Sequence, residues 1–173
     1  KRYLNMSDKP PVNIRNHAVT PDDPYFEAED FEENTVCRQC GAFFAAGRWY
    51  MKGQHPGIKH DLSHAPRETL CSACRRCRDA MPGGVLTLSG SFMAGHHDEI
   101  LNLVRNETND AMGINPLERI MSMETVGGDF QITTTNDRLA QRIGKALHKA
   151  YSGQIEYKWS EGTKLSRVNW RRD

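Results

Sequence analysis

Two cysteine pairs are the residues of this chain whose type and spacing point most directly to chemistry. Cys37 and Cys40 form one Cys-x-x-Cys motif, and Cys71 and Cys74 form another after an interval of 30 residues. A structural Zn²⁺ ion prefers four soft ligands in a tetrahedron, and each motif can direct two thiolates toward one point. The spacing therefore predicts one structural zinc ion held by four cysteines, which contributes about 10 kcal/mol to folding and leaves no position open for catalysis.

Other ligand sets are open at this point. Cys77 follows Cys74 at the same spacing, so these two residues could form the second pair. We favour Cys71 with Cys74 because Cys77 lies in the run Arg75-Arg76-Cys77-Arg78, where a short helix is expected. One histidine between the two motifs could also replace a cysteine ligand, and the candidates are His55, His60 and His64. A further alternative is that the cysteines are buried thiols or a redox couple without metal.

Charged residues are arranged in blocks, although the net charge of the chain is only +1. Residues 21–34 contain seven acidic and no basic residues, whereas residues 35–83 contain eight basic and three acidic residues. The basic block also contains all five cysteines. Basic side chains neutralise nucleic-acid phosphates, so this block is the predicted nucleic-acid surface. The acidic segment, within residues 1–35, is a candidate contact for a protein partner.

Candidate nucleic-acid contacts lie close to the two cysteine pairs. A metal site holds neighbouring arginines rigidly, which lowers the entropic cost of each phosphate contact, and an aromatic side chain beside them can stack on an unpaired base. The predicted contacts are Arg38, Arg48, Trp49, Arg75, Arg76 and Arg78. The alternative interpretation is that Trp49 and Tyr50 cover the zinc site.

Two further polar clusters have ordinary structural explanations. The run Gly95-His96-His97-Asp98-Glu99 suggests hydrolysis or a second metal, but acidic residues at the start of a helix are expected from the helix dipole alone. Residues 132–137 could hold a phosphate at a helix N-terminus, although capping explains most of their polarity. A more distant set could extend the basic surface, although a solvated charged face is the default interpretation; it consists of Lys145, His148, Lys149, Arg167, Arg171 and Arg172. Common catalytic motifs are absent from the sequence, which predicts no enzymatic activity.

The elements that must position these groups fall into three predicted segments. Residues 1–35 form an extended acidic N-terminal segment whose few apolar side chains, Phe31 among them, can dock on a partner or on the folded part. Residues 36–83 form the zinc-binding module, which has too little apolar sequence for a core without a metal. Residues 84–173 form an α+β domain.

The periodicity of residues 84–173 alternates between strand and helix. Strands are predicted over 85–89, 117–126 and 130–134, around 155–159 and around 168–170, and helices over 96–111 and from about 135 to 153. This β-α-β-β-α-β order with an extra C-terminal strand is that of a ferredoxin-like domain, in which two helices cover one face of an antiparallel sheet. The predicted fold class is therefore α+β, with a four-cysteine, zinc-ribbon-like module followed by a ferredoxin-like domain.

The length of the apolar runs and the number of cysteines indicate the cellular compartment of the protein. The longest unbroken apolar run is the five residues from Ala42 to Ala46, whereas a transmembrane helix needs about 20 residues and a signal-peptide core about 7 to 15. An odd number of cysteines with two Cys-x-x-Cys pairs fits metal binding in a reducing compartment better than a disulfide framework. We therefore predict a cytoplasmic protein without membrane contact.

Several short motifs within residues 35–172 together resemble a known family. They are Thr35-Val-Cys37-Arg-Gln-Cys40-Gly-Ala, Gly47-Arg-Trp49, Leu70-Cys71-Ser-Ala-Cys74-Arg-Arg-Cys77-Arg-Asp79, Gly90-Ser-Phe92, His97-Asp-Glu99-Ile100, Asn115-Pro-Leu-Glu-Arg119-Ile120, Thr134-Thr-Asn-Asp137-Arg-Leu139-Ala140 and Val168-Asn-Trp170-Arg171. They are similar to the bacterial branch of proteins that affect ribosome stability and mRNA decay. That branch is related to the large-subunit export adaptor of eukaryotes and archaea, which is implicated in nonsense-mediated decay.

This resemblance implies a zinc-binding N-terminal module that engages the large ribosomal subunit without enzymatic activity. It carries the zinc role to Cys37, Cys40, Cys71 and Cys74, whereas Cys77 stands where an aliphatic residue is expected. The predicted function is therefore a non-enzymatic zinc protein bound to the ribosome or ribosomal RNA, acting in ribosome stability, assembly or dormancy. The alternative prediction is a protein-interaction adaptor whose acidic segment regulates the basic zinc module.

Overall fold

The structure, a computed structural model, describes Tyr25, residues 31–54, Gly57, residues 64–160 and residues 165–173. Within these ranges the chain forms a four-stranded and a five-stranded sheet together with three helices, so the protein is α+β with mixed sheets. Most of the acidic segment, as well as His55 and His60, lies outside the described residues. Among the described residues, no helix combines the length and apolar character needed to cross a membrane.

The N-terminal half contains a small sheet followed by a short helix. Its elements are β1 (Thr35–Cys37), β2 (Phe43–Ala45), β3 (Arg48–Tyr50), β4 (Arg67–Thr69) and α1 (Ser72–Asp79). The sheet order is β3-β2-β1-β4, and β4 runs parallel to β1. Ala46 and Gly47 both adopt positive φ, as the tight turn between β2 and β3 requires. Because each strand has only three residues, this half depends on side-chain packing rather than on its backbone ladder.

The C-terminal half contains the elements predicted from periodicity, with shifted ends. They are β5 (Gly84–Ser89), α2 (Phe92–Ile114), β6 (Ile120–Val126), β7 (Asp129–Thr134), α3 (Asp137–Tyr151), β8 (Gln154–Trp159) and β9 (Ser166–Arg171). Helix α2 is longer at both ends than the predicted 96–111, and it contains a non-helical backbone angle at His96. Strand β6 begins three residues after the predicted Leu117 because residues 115–119 form an irregular connection from α2.

The ferredoxin-like prediction is not confirmed, because the fifth strand lies inside the sheet. The order is β6-β7-β5-β9-β8, with β9 between β5 and β8 and parallel to β5. A ferredoxin-like sheet would place β8 next to β5 and would be antiparallel throughout. In the central position Val168 and Trp170 of β9 are fully buried, whereas Trp159 at the end of the edge strand β8 is 62% exposed. Both edges of β9 are hydrogen-bonded, to β5 on one side and to β8 on the other, so the insertion gives this strand backbone partners along its whole length.

One core holds this half together. Leu86 of β5, Val104 of α2 and Ile143 of α3 all belong to a single buried cluster with Val168 and Trp170. Both helices therefore cover the same face of the five-stranded sheet, as predicted.

Candidate metal centre

Four cysteine side chains converge at one point in the N-terminal half. Cys37 ends β1, Cys40 lies in the turn that follows, Cys71 immediately precedes α1, and Cys74 lies in the first turn of α1. Their Sγ atoms all lie within 4.8 Å of one another. The distance of 3.8 Å between the sulfurs of Cys40 and Cys71 matches the edge of a tetrahedron with metal–sulfur bonds of about 2.3 Å, roughly 3.8 Å. These cysteines can therefore hold one metal ion.

The second pair lies at the start of a helix, not in a turn between strands as a zinc ribbon would have it. Helix α1 begins at Ser72, so Cys71 is its N-cap residue and Cys74 lies in its first turn, near the positive end of the helix dipole. Cys77 is one turn further along the helix, is exposed and does not join the cluster. His64, the one histidine of the intervening loop that the structure describes, is also outside it. The geometry thus selects Cys71 over Cys77.

The cysteines also form the core of the small half. Cys37, Cys71 and Cys74 are at most 3% exposed, and they pack with Trp49 and Leu70 in one buried cluster. The backbone N–H of Cys71 donates a hydrogen bond to the Cys37 sulfur at 3.3 Å. A metal ion held by these cysteines would therefore stabilise the same region that this packing stabilises.

Arg119 is the residue of this site that the sequence did not point out. Its Nη2 lies 3.2 Å from the Cys40 sulfur, and its Nη1 lies 3.5 Å from the Cys74 sulfur. Its Nε donates a hydrogen bond to the Pro116 carbonyl at 2.6 Å, which fixes the guanidinium plane. Arg119 belongs to the motif Asn115-Pro-Leu-Glu-Arg119-Ile120, and nothing in its sequence position signals contact with cysteines 45 and 79 residues away.

The thiol pKa values diverge because the sulfurs are so close. The pKa of Cys71 is raised because its proton is shared with the Cys40 sulfur and because the group is buried. Burial chiefly raises the pKa of Cys74 as well. The pKa of Cys40 is lowered, mainly by the hydrogen bond with Cys71 and further by the Arg119 guanidinium. A metal ion must displace protons from the thiols whose pKa values are raised, so the affinity of the site for the metal depends on pH.

Two of the predicted nucleic-acid contacts are buried inside the protein. Trp49 is 4% exposed, and its ring packs edge-on against Phe31 with centroids 5.0 Å apart. Arg76 is 8% exposed, lies over the ring of Tyr25 at 4.6 Å, and donates to the Met81 carbonyl at 3.1 Å. This placement matches the alternative interpretation for Trp49, a side chain that covers the cysteine cluster. Neither residue is positioned to meet a nucleic acid in this conformation.

The other predicted contacts lie nearer the surface. Arg38 and Arg78 are exposed, and Arg78 also pairs with its neighbour Asp79. Arg75 is half-buried. Arg48 is half-buried and donates to the Ile114 carbonyl at the end of α2 at 2.7 Å. The accessible basic groups of the set are therefore chiefly Arg38 and Arg78.

The other two polar clusters are used within the fold. His96 contacts Glu99 at 3.0 Å and stacks on Phe92, and the potential metal-binding groups among the described residues comprise the four cysteines alone. At the start of α3 the Asn136 side chain accepts the Leu139 N–H at 3.0 Å, which is an ordinary helix cap. Neither cluster carries an independent functional assignment.

The more distant basic residues differ in their contacts. Lys145, His148 and Lys149 are exposed on α3. Arg171 pairs with Asp173 at 3.1 Å, and the Arg172 guanidinium lies 3.8 Å above the Phe92 ring.

Comparison of the chain with protein-family models, with curated proteins and with solved structures gives no match.

Proposed function

We propose that this protein is a non-enzymatic zinc-binding protein that associates with the large ribosomal subunit or with RNA. The observation that carries the proposal is the closed set of four cysteine sulfurs within 4.8 Å of one another. Four sulfur ligands favour zinc among the common divalent ions, and they leave no coordination position for substrate. Cys37, Cys40, Cys71 and Cys74 would hold the ion, which supplies folding free energy rather than chemistry.

Three observations support a ribosomal or RNA partner. The motifs that resemble the ribosome-stability family extend over residues 35–172. The block 35–83, which contains the cysteines, has eight basic against three acidic residues. Arg38 and Arg78 are exposed and each lies one to four residues from a cluster cysteine, so a metal ion would hold them rigidly. Such a surface suits binding to the phosphate backbone of RNA. We place this association in the cytoplasm.

Sedimentation of the full chain with ribosomes through sucrose tests this proposal. We expect co-sedimentation that weakens steeply as salt is raised, because phosphate contacts release counterions. The double variant Arg38→Ala with Arg78→Ala should lose most of the association while keeping its zinc. Arg105→Ala removes an exposed arginine from α2 and is the matched control. Unchanged co-sedimentation of the double variant would refute the role of this surface.

A second candidate function is a protein-interaction adaptor regulated by the acidic segment. Glu32 forms an ion pair with Arg67, and the Glu33 carboxylate accepts the N–H groups of Ala46 at 2.9 Å and Gly47 at 3.2 Å. The acidic segment thus already occupies part of the basic module. A chain that lacks residues 1–34 loses these contacts, and we expect it to bind RNA more tightly at low salt if the acidic segment competes with phosphate. Equal affinity of the two chains would argue against regulation.

A further inference from the structure

The connection between α2 and β6, residues 115–119, joins the two halves of the protein at the metal centre. Leu117 packs against the buried cluster that contains Cys37, Cys71 and Cys74. Arg119 extends from the same connection to the sulfurs of Cys40 and Cys74. A segment of the C-terminal half therefore completes the surroundings of a metal centre whose ligands all come from the N-terminal half.

Contacts in the opposite direction hold the same junction. Gln54 donates through Nε2 to the Met112 carbonyl at 2.8 Å and to the Gly113 carbonyl at 2.5 Å, and Arg48 donates to the Ile114 carbonyl at 2.7 Å. The last carbonyls of a helix have no partners within the helix and need donors from outside it. The N-terminal half thus caps the C-terminus of α2 close to the point where Arg119 reaches the sulfurs.

The backbone of Arg119 is anchored in the C-terminal half. Its N–H donates to the Thr135 hydroxyl at 2.9 Å, and its carbonyl accepts the Thr135 N–H at 2.9 Å. Thr135 directly precedes the cap of α3 and is 3% exposed. The guanidinium is therefore presented to the cysteines by a rigid support that belongs to the other half of the protein.

Charge explains why this contact would matter once a metal is bound. Four thiolates around a divalent ion carry an excess of about two negative charges, and burial makes uncompensated charge costly. The Arg119 guanidinium, which hydrogen-bonds the Cys40 and Cys74 sulfurs, places a positive charge next to these thiolates. Groups that orient and neutralise metal ligands typically change metal affinity about 10–100-fold when they are removed.

We infer that Arg119 couples metal binding to attachment of the two halves: its guanidinium stabilises the metal-bound thiolates only while the α2–β6 connection is docked. This inference rests on the proposed structural zinc site. Coupling of this kind is reciprocal, so zinc strengthens docking by the same factor by which docking strengthens zinc binding. Arg119 is a positioning residue here and acts through the cysteines.

Zinc affinity of the full chain, measured by competition with a chromophoric chelator, provides the first test. We expect Arg119→Gln to weaken zinc binding by roughly 10–100-fold. Arg119→Lys should weaken it less, because lysine keeps the positive charge but lacks the planar, paired N–H donors of the guanidinium. Arg105→Gln is the matched control and should bind as the wild type does. If the wild type holds no zinc, the proposed zinc site itself fails. If the wild type holds one zinc and Arg119→Gln binds it equally well, only the coupling fails.

Amide hydrogen exchange distinguishes the proposed coupling from a defect confined to the metal site, because such a defect would not change exchange rates in the C-terminal half. In the wild type, removal of zinc should accelerate exchange of the Asn115 and Thr135 amides, which are bonded to Ala111 and Arg119. In Arg119→Gln, exchange at these amides should be fast with or without zinc, while zinc still protects the Cys37 amide. If the exchange rates of the Asn115 and Thr135 amides in the wild type do not depend on zinc, the inference is overturned. This holds even if Arg119→Lys and Arg119→Gln differ in zinc affinity.

Discussion

Cys77 and Cys71 have the same sequence distance from Cys74, yet the structure places them very differently. Cys71 is fully buried beside the Cys40 sulfur, whereas Cys77 is exposed one helical turn after Cys74. We expect Cys77→Ser to retain one zinc per chain and the thermal stability of the wild type. The same change at Cys71 should abolish stoichiometric zinc. Elemental analysis of the purified proteins distinguishes the two, and loss of zinc from Cys77→Ser would reassign the second pair.

The raised thiol pKa values predict how zinc binding responds to pH. The pKa values of Cys71 and Cys74 are raised, so both thiols are protonated at neutral pH when no metal is present. Zinc must displace these protons, and a lower pH therefore favours the metal-free form. We expect the apparent zinc affinity to rise steadily between about pH 6 and about pH 8. Chelator competition at several pH values measures this slope, and a flat profile would contradict ligation by these thiols.

Phe31 is one residue of the acidic segment that packs its apolar side chain against the folded module. Its ring lies 5.0 Å from Trp49 and 5.5 Å from Phe44, next to the cysteine cluster. We expect Phe31→Ala to lower the free energy of unfolding by about 2 kcal/mol, less than for a fully buried phenylalanine because Phe31 is only half-buried. Urea unfolding of the zinc-bound protein measures the loss. Met81→Ala, at a 53% exposed site, should be close to neutral.

At the scale of elements, helix α3 approaches the five-stranded sheet closely at Gly144. A Cβ at this position would lie 2.7 Å from a Val168 methyl carbon and 3.1 Å from the end of Ile155. Alanine favours a helix over glycine by about 1 kcal/mol, but overpacking costs about 1–3 kcal/mol. We therefore expect Gly144→Ala to destabilise the protein by about 1 kcal/mol. Thermal unfolding of this variant measures the effect.

The matched control for this prediction lies in α2. A Cβ at Gly113 would meet nothing within 4 Å, so Gly113→Ala should leave stability unchanged or raise it slightly. If Gly144→Ala were as stable as Gly113→Ala, the sheet would have to yield at Val168 without cost, contrary to close packing in the core.

Periodicity was sufficient to predict the seven elements of the C-terminal half, because most of them have one apolar face; β6, which has no buried residue, is the exception. Ile143 and Leu147 mark the buried face of α3, and Val168 and Trp170 mark that of β9. Strand order could not be read in the same way, since alternation shows which face of a strand is buried but not which strand lies beside it. The insertion of β9 between β5 and β8 is a matter of backbone pairing between strands that are distant in sequence, as β5 and β9 are, and alternation does not encode it.

The candidate site could be predicted only as far as its ligands. Spacing pointed to the four cysteines because metal coordination restricts how far apart paired ligands can be along the chain. Arg119 has no such restriction, since its contact with Cys40 depends on how the two halves pack. The burial of Trp49 and Arg76 likewise depends on packing, in this case by Phe31 and Tyr25 of the acidic segment.

At the scale of the whole molecule, the two halves have cores of different kinds. The C-terminal core contains twelve buried residues from strands and both long helices. The N-terminal core contains seven, and three of these are the cysteines Cys37, Cys71 and Cys74. A core so small needs a further source of stability, which a metal ion bound to the cysteines would supply. The two halves should therefore respond unequally when zinc is removed.

Hydrogen exchange over the whole chain, with and without a zinc chelator, tests this asymmetry. We expect removal of zinc to open the amides of β1 and α1, because their packing is built on the metal ligands. Strand β5 and most of helix α3 should stay protected by the larger core, which contains none of the cysteines. The region of partial response should be the α2–β6 connection, where Leu117 and Arg119 contact the cysteine cluster. Uniform loss of protection in both halves would instead mean that the chain unfolds as one cooperative unit once zinc is lost, because stability would then not be partitioned between the two cores.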